Sequence, residues 1–307
     1  MANETYSSET SAILDRYIKF GPITDPGSAA NVEFLKSQPD EFSDFALSLR
    51  RKTVHPFVYE HPEYFDPYMR RVIDMYANSV PENLRVREDF TLVTVESMID
   101  ALRDRNPNGM DQKTILPWKN RLCISCAPLS YLAVSGLRVK GIPARVRAGF
   151  TMSAGKRGKY GDHWVIERWA RSRWIMSDID QMDVIKPDSY DWADIPEDKF
   201  FLGAEAWLHF RYSDIKRVDI HHGGGAAGLS AVAWQFAYDL GSIIGKEPIY
   251  KQHPVPFIDR DVSEVEKKVL DLYDEMAVLM LNPDRNYNEI SEVYAANKEY
   301  FECISNS

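Results

Sequence analysis

The segment from residue 115 to residue 180 constrains the fold of this chain most, because a helix pattern is followed there by three strand patterns. Ser125 is a suitable N-cap for a helix that runs through Lys140. Apolar and polar residues alternate over residues 144–152, which predicts a half-buried strand. Residues 163–178 then predict a hairpin. The segment therefore predicts a helix packed on an antiparallel sheet.

The predicted hairpin joins a strand over residues 163–169 to a strand over residues 173–178 through a turn at residues 170–172. We expect this turn to keep His163 directly opposite Asp178. Both side chains then point to the same face of the sheet, where a carboxylate can orient an imidazole.

The rest of the chain is dominated by helix patterns, and we divide it at two places. Residues 1–106 form a helical N-terminal region, residues 107–200 the sheet-containing core, and residues 201–307 a mainly helical C-terminal region that packs on the core. The clearest N-terminal helix patterns cover residues 31–36, 68–77 and 91–105.

Two helices are predicted near the C-terminus, and we assign both to packing. Asp261 and Glu264 have the spacing of a capping box that opens the first helix, and Asn282 with Pro283 ends it. The second covers residues 288–303.

Charge and hydropathy exclude several classes of protein. Lys+Arg 37 against Asp+Glu 46 gives a net charge of −9, and the chain has no basic block that would bind a phosphate backbone, so we expect no nucleic acid partner. No apolar run is long enough to cross a bilayer, so we expect no membrane partner either. A chain that is 44% hydrophobic can bury a sizeable core, which excludes global disorder.

The cysteine usage and the N-terminus favour a cytoplasmic protein. Cys123, Cys126 and Cys303 are too few, and odd in number, for a disulfide framework. Residues 1–10 are polar and acidic and lack the basic start and apolar core of a signal peptide. We therefore expect a reducing compartment.

The predicted elements bring together residues suited to nucleophilic catalysis. Cys126 begins a helix, where the partial positive charge of the helix N-terminus, together with a nearby imidazole, lowers the pKa of a thiol. His163 is suited to act as the general base for this thiol. Asp178 is placed to hold the imidazole tautomer and to stabilise its cation.

These residues resemble the motifs of the transglutaminase-like superfamily of cysteine enzymes. The pattern is a cysteine that opens a helix, a Gly-Ile-Pro-Ala-Arg turn into a strand, a His-Trp-Val segment, and a tryptophan followed four positions later by an acid. In this sequence the matching residues are Cys126, residues 141–145, residues 163–165, and Trp174 with Asp178.

Residues 201–207 and 234–240 resemble the C-terminal part of a bacterial transglutaminase-like group. The sequence departs from the family after the acid, where Ile-Asp at residues 179–180 replaces the usual Pro-Thr. Asp180 is therefore an alternative to Asp178 in the third catalytic position, and we prefer Asp178.

The resemblance implies an α+β fold with a transglutaminase-like (papain-like) core, in which the cysteine-bearing helix packs on an antiparallel sheet between helical extensions. It implies thiol-dependent acyl transfer, in which an acyl donor, a thioester or carboxamide that is a small molecule or bound to a carrier protein, is joined to an amine acceptor. No metal or organic cofactor is required. The alternatives are a cysteine peptidase or amidase, and a catalytically silent binding module.

The oxyanion-hole donor has three candidates. Asn120 lies six residues before Cys126, an offset similar to that of the glutamine donor in papain-like proteases. The other two are the backbone N–H of Cys126 and the indole N–H of Trp118. We prefer Asn120.

Other residues invite a functional interpretation that we do not adopt. Cys123 and Cys126 form a Cys-x-x-Cys pair, which suits a redox site or half a zinc site, but we assign Cys123 to packing. His221 and His222 precede a glycine run, so we predict a mobile surface loop over residues 221–225 rather than a metal site. We assign His55 and His61 to loop packing.

Overall fold

A computed structural model of the chain shows a mixed α+β architecture. The predicted helix over residues 68–77, as well as His61, lies outside the residues that this structure describes. The described residues are 8–55, 89–152, 160–180, 190–213, 220–223, 225–258 and 262–305.

The helices and strands follow the order expected from the sequence, with helices on both sides of a central sheet segment. The α-helices are α1 (Ser8–Arg16), α2 (Ala29–Lys36), α3 (Phe42–Arg50), α4 (Val95–Arg105), α5 (Cys126–Val139), α6 (Gly203–Arg211), α7 (Leu229–Ile243), α8 (Lys267–Met280), α9 (Tyr287–Ala296) and α10 (Lys298–Phe301). The strands are β1 (Thr53–Val54), β2 (Leu122–Cys123), β3 (Ala144–Met152), β4 (Tyr160–Ala170), β5 (Arg173–Ser177), β6 (Phe200–Leu202), β7 (Ile220–His221), β8 (Gln252–Pro254) and β9 (Cys303–Ser305).

The main sheet has the strand order β5-β4-β3-β6, with antiparallel neighbours, and β7 pairs in parallel with the start of β4. Helix α5 packs against β3 and β4, and α7 packs against β3 and α6. Buried apolar residues of the sheet and these helices form one continuous core. A cysteine-bearing helix on a mainly antiparallel sheet is therefore present, as predicted.

The hairpin between β4 and β5 has a different register from the predicted one. Trp169 pairs with Trp174 and Glu167 with Met176, so each residue of β5 lies two positions from its expected partner. The reason is a tight turn, in which Arg171 and Ser172 both have positive φ, 53° and 57°, as in the two-residue turns that match strand twist. A shift by two residues leaves every side chain on the same face.

Strand β3 spans the predicted residues, but the prediction that it is half-buried is wrong. Arg145 and Arg147, expected on an open face, are 3% and 2% exposed. Arg147 donates to Asp239 of α7 at 2.7 and 2.9 Å and to Glu167 of β4 at 2.8 Å, and Arg145 donates to Glu167 at 2.6 Å. The charges are buried because acidic residues from other elements compensate them, which alternation along one strand cannot reveal.

Several helix ends differ from the predicted ends. Helix α4 begins at Val95, because the Thr94 side chain caps it. Asp261 of the predicted capping box is outside the described residues, and α8 begins after Glu266 and ends at Met280, before the predicted stop.

The predicted helix over residues 288–303 is instead two helices, α9 and α10, interrupted at Asn297, followed by β9. The Asn297 side chain donates to the Val293 carbonyl and so competes with continuation of the helix.

Gly149 of β3 permits the close approach of β6. A Cβ at this position would lie 2.0 Å from the Phe201 carbonyl oxygen and 2.7 Å from the Phe200 ring. We expect Gly149→Ala to lower the free energy of unfolding by about 1–3 kcal/mol, because β6 must move away. Amide hydrogen exchange should quicken in β6 but not in β5, on the opposite edge of the sheet. Unchanged exchange in β6 would contradict this prediction.

No described helix has the length and apolar character needed to cross a membrane.

Candidate active site

Cys126 is the first residue of α5, and the short β1–β2 pair leads the chain to it. Val54 pairs with Cys123, and the N–H of Ile124 donates to the Val54 carbonyl at 2.9 Å. Ser125 is extended, as predicted for an N-cap, but its side chain makes no cap hydrogen bond. The Ser125 side chain therefore leaves the backbone N–H groups of the first turn of α5 uncapped. The partial positive charge of this helix end acts on the thiol.

The structure brings Cys126, His163 and Asp178 together. The Nε2 atom of His163 lies 2.8 Å from Oδ2 of Asp178, and the Cys126 thiol is close enough to the imidazole for each of the two side chains to shift the pKa of the other. All three residues are buried, with 6% or less of each exposed. The imidazole therefore contacts a thiol on a helix and a carboxylate beyond the end of a strand.

The sheet positions His163 and Asp178 despite the shifted register. His163 lies between the part of β4 that pairs with β7 and the part that pairs with β5. Strand β5 ends at Ser177, whose hydroxyl donates to the Ala193 carbonyl at 2.8 Å, and the Asp178 N–H donates to the Trp192 carbonyl at 2.8 Å. These bonds hold Asp178 just beyond the strand, within reach of the imidazole.

The imidazole favours its protonated form. Burial lowers the pKa of His163, but the Asp178 carboxylate and Cys126 outweigh burial and raise this pKa well above its ordinary value. An imidazolium between these two partners can donate to both.

The expectation that the Cys126 pKa is lowered is wrong for this arrangement. Burial raises the pKa of the Cys126 thiol, and Asp180 and Asp162 add to that increase. The charge and hydrogen bond of His163 act in the opposite direction but do not cancel it. The thiolate therefore depends on the His163 imidazolium for its stabilisation.

Asp180, the alternative third residue, has different partners. Its carboxylate lies 3.3 Å from Nη1 of Arg50 and 3.7 Å from Nε2 of His55. Burial raises the pKa of Asp180, but His55, Arg50 and His163 outweigh burial and lower this pKa. Asp180 thus contributes negative charge near the thiol, whereas Asp178 is hydrogen-bonded to His163.

Asn120, predicted as the oxyanion donor, lies in a 3₁₀ turn and is paired with Asn106. Its Nδ2 donates to the Asn106 Oδ1 at 2.9 Å, and its carbonyl accepts from the Asn106 side chain at 3.2 Å. The Trp118 side chain lies outside the described part of the structure. The oxyanion role of Asn120 stays a prediction, and the pairing with Asn106 gives its amide a structural role.

A second buried polar cluster adjoins the site, and the sequence analysis missed it. Asp162, which precedes His163, accepts from the Tyr250 hydroxyl at 2.6 Å and from the Gly223 N–H at 2.8 Å. The Tyr250 ring stacks on His222, which also hydrogen-bonds to Gln235. His222 is 0% exposed, so the predicted mobile surface loop is wrong at this residue. The rings of Trp234, Tyr238 and Tyr250 pack against it, and local sequence does not reveal these contacts.

Cys123 is buried in β2, as expected of a packing residue, and the three cysteines of the described residues, Cys123, Cys126 and Cys303, form no disulfide. Within the described part of the chain, no group of three or more His, Cys, Asp or Glu side chains is arranged to hold a metal ion.

Comparison with family models, with curated proteins and with solved structures finds no match for this chain.

Proposed function

We propose that this protein is a thiol-dependent acyltransferase of transglutaminase-like fold, which forms an amide between an acyl donor and an amine. The observation that carries the proposal is that Cys126, His163 and Asp178 lie together: His163 is hydrogen-bonded to Asp178 at 2.8 Å, and it is close enough to Cys126 for each of these two side chains to shift the pKa of the other. A nucleophile, a base and a residue that orients the base are the components of nucleophilic catalysis. The motif resemblance over residues 126–178 supports the same function.

In the proposed reaction the Cys126 sulfur attacks the donor carbonyl carbon. A sulfur–carbon bond forms, the bond from carbon to the leaving sulfur or nitrogen breaks, and His163 gives its proton to the leaving group. An amine then attacks the acyl-enzyme, so that a carbon–nitrogen bond forms and the carbon–sulfur bond breaks. His163 takes the amine proton, which restores the thiolate and imidazolium.

The proposal assigns the oxyanion to the backbone N–H of Cys126 at the helix N-terminus, instead of to the preferred candidate Asn120, because the side-chain amide of Asn120 already donates to Asn106. The reactive state has Cys126 as thiolate and His163 as imidazolium. It forms from the state with a Cys126 thiol and a His163 imidazolium by the loss of one proton. The acylation rate should therefore rise with pH above neutrality, because burial raises the pKa of Cys126.

The test offers the protein a series of acyl thioesters with and without amines, and mass spectrometry follows Cys126 and the products. We expect a covalent acyl adduct on Cys126, and amide product when an amine is present. Cys126→Ala should abolish both, whereas Cys123→Ser, a matched control, should retain them. Release of free acid whatever amine is offered would favour the hydrolase. The absence of any adduct would favour the binding module.

A further inference from the structure

An open groove runs beside the first turns of α5. Its walls come from residues 89–93, from the start of α5 and from residues 249–251, and it is partly open to solvent. The proposed acyl-transfer chemistry does not account for this groove.

The floor of the groove is apolar, and its polar groups are occupied. The Tyr131 hydroxyl donates to the Pro248 carbonyl at 2.7 Å. The Asp89 carboxylate is paired with Arg105 and accepts from the Cys123 N–H at 2.7 Å. Because the buried negative charge is compensated, the floor suits an uncharged, apolar group.

The rim of the groove is apolar with one cation. Phe90 and Val93 are 46% and 40% exposed, so both offer apolar surface at the rim. The Lys251 Nζ lies 5.0 Å from the centre of the Phe90 ring, and Lys251 is exposed. Asp89 and Lys251 are the charged residues among the described lining residues. With Asp89 compensated, positive charge remains at the mouth.

The groove adjoins the candidate nucleophile. Ser125 and Ala127, which flank Cys126, both line it. Tyr250 also lines it and lies close enough for the Cys126 charge to contribute to raising the Tyr250 pKa, although burial is the larger cause. Cys126 itself is not among the described lining residues, but a chain bonded to its sulfur starts between two residues that are.

We propose that this groove binds the acyl chain of an apolar acyl thioester, while Lys251 at the rim faces the anionic, phosphate-bearing carrier of that donor. This inference rests on the proposed acyl-transfer function and names its donor class. Each methylene that moves from water into the groove should raise the acylation rate constant kcat/KM about fourfold.

The test compares acetyl-, butyryl-, hexanoyl- and octanoyl-coenzyme A as donors, with acylation of Cys126 followed by mass spectrometry. We expect the octanoyl donor to exceed the acetyl donor by roughly 10²-fold or more. Val93→Trp, which fills the groove from its exposed rim, should reduce this ratio at least about tenfold. Val278→Trp is the matched control on α8, where Val278 is 58% exposed, and it should leave the ratio unchanged. Equal acylation rates for all chain lengths would contradict the assignment of the groove to the acyl chain, but not the acyl-transfer function.

The role of Lys251 is tested by charge reversal. Lys251→Glu should lower the rate of Cys126 acylation by octanoyl-coenzyme A roughly tenfold. The rate with the neutral octanoyl-N-acetylcysteamine thioester should change by less than about twofold. Equal slowing of both donors would overturn the assignment of Lys251.

A binding measurement separates the groove from the chemistry. Saturation-transfer NMR should show that octanamide binds to the Cys126→Ala variant. The double variant with Cys126→Ala and Val93→Trp should no longer bind it. If no thioester acylates the protein but octanamide binds in this way, the groove assignment stands and the acyltransferase function fails. If octanamide does not bind, the groove assignment fails.

Discussion

Replacing Asp178 by asparagine should lower the rate of Cys126 acylation by about 10²–10⁴-fold, whereas Asp180→Asn should not lower it. Asp178 raises the pKa of His163 and hydrogen-bonds to its Nε2. A neutral amide at this position no longer stabilises the His163 imidazolium. The Cys126 thiolate depends on that imidazolium and is therefore less populated.

The Asp180 charge acts in the opposite sense. Asp180 raises the pKa of Cys126, so its removal should lower that pKa and keep or increase the rate at pH 7. The two isosteric variants are controls for each other, with thermal unfolding measured for both to confirm that they fold. A large loss of rate in Asp180→Asn, with little in Asp178→Asn, would assign the third catalytic position to Asp180 instead.

Breaking the buried ion pair of β3 should have the largest effect on stability. Arg147→Met removes two hydrogen bonds to Asp239, which is 0% exposed, and leaves its carboxylate buried without its guanidinium partner. We expect the free energy of unfolding to fall by about 3–5 kcal/mol, measured by denaturant titration.

Arg173→Met is the matched control, because it removes an exposed ion pair. The side chain of Arg173 is 52% exposed and that of its partner Asp194 is 32% exposed. Water and salt screen this pair, so the expected loss is about 0–1 kcal/mol. Similar losses in the two variants would show that burial does not determine the strength of the Arg147 pair.

Much of the site could be predicted because it depends on local pattern. The strand over residues 144–152 and the helix that begins at Cys126 both follow from periodicity and breaker residues. The predicted register of the hairpin was wrong by two residues, but the prediction that His163 and Asp178 share a face was not affected, because side chains of a strand return to the same face every two residues. The proposed roles of these residues stay predictions, since geometry alone does not demonstrate catalysis.

Tertiary structure decided the environments of the side chains. The pKa of Cys126 is raised because the thiol is buried with Asp162 and Asp180 nearby, and neither effect can be inferred from the residues beside it in sequence. His222 is buried for a similar reason, since the elements that cover it are distant in the chain. Periodicity and breaker residues determine where helices and strands form, because those preferences act over a few residues. Burial, ion pairing and the groove beside α5 depend on which distant segments pack together, and so they appear only in the folded chain.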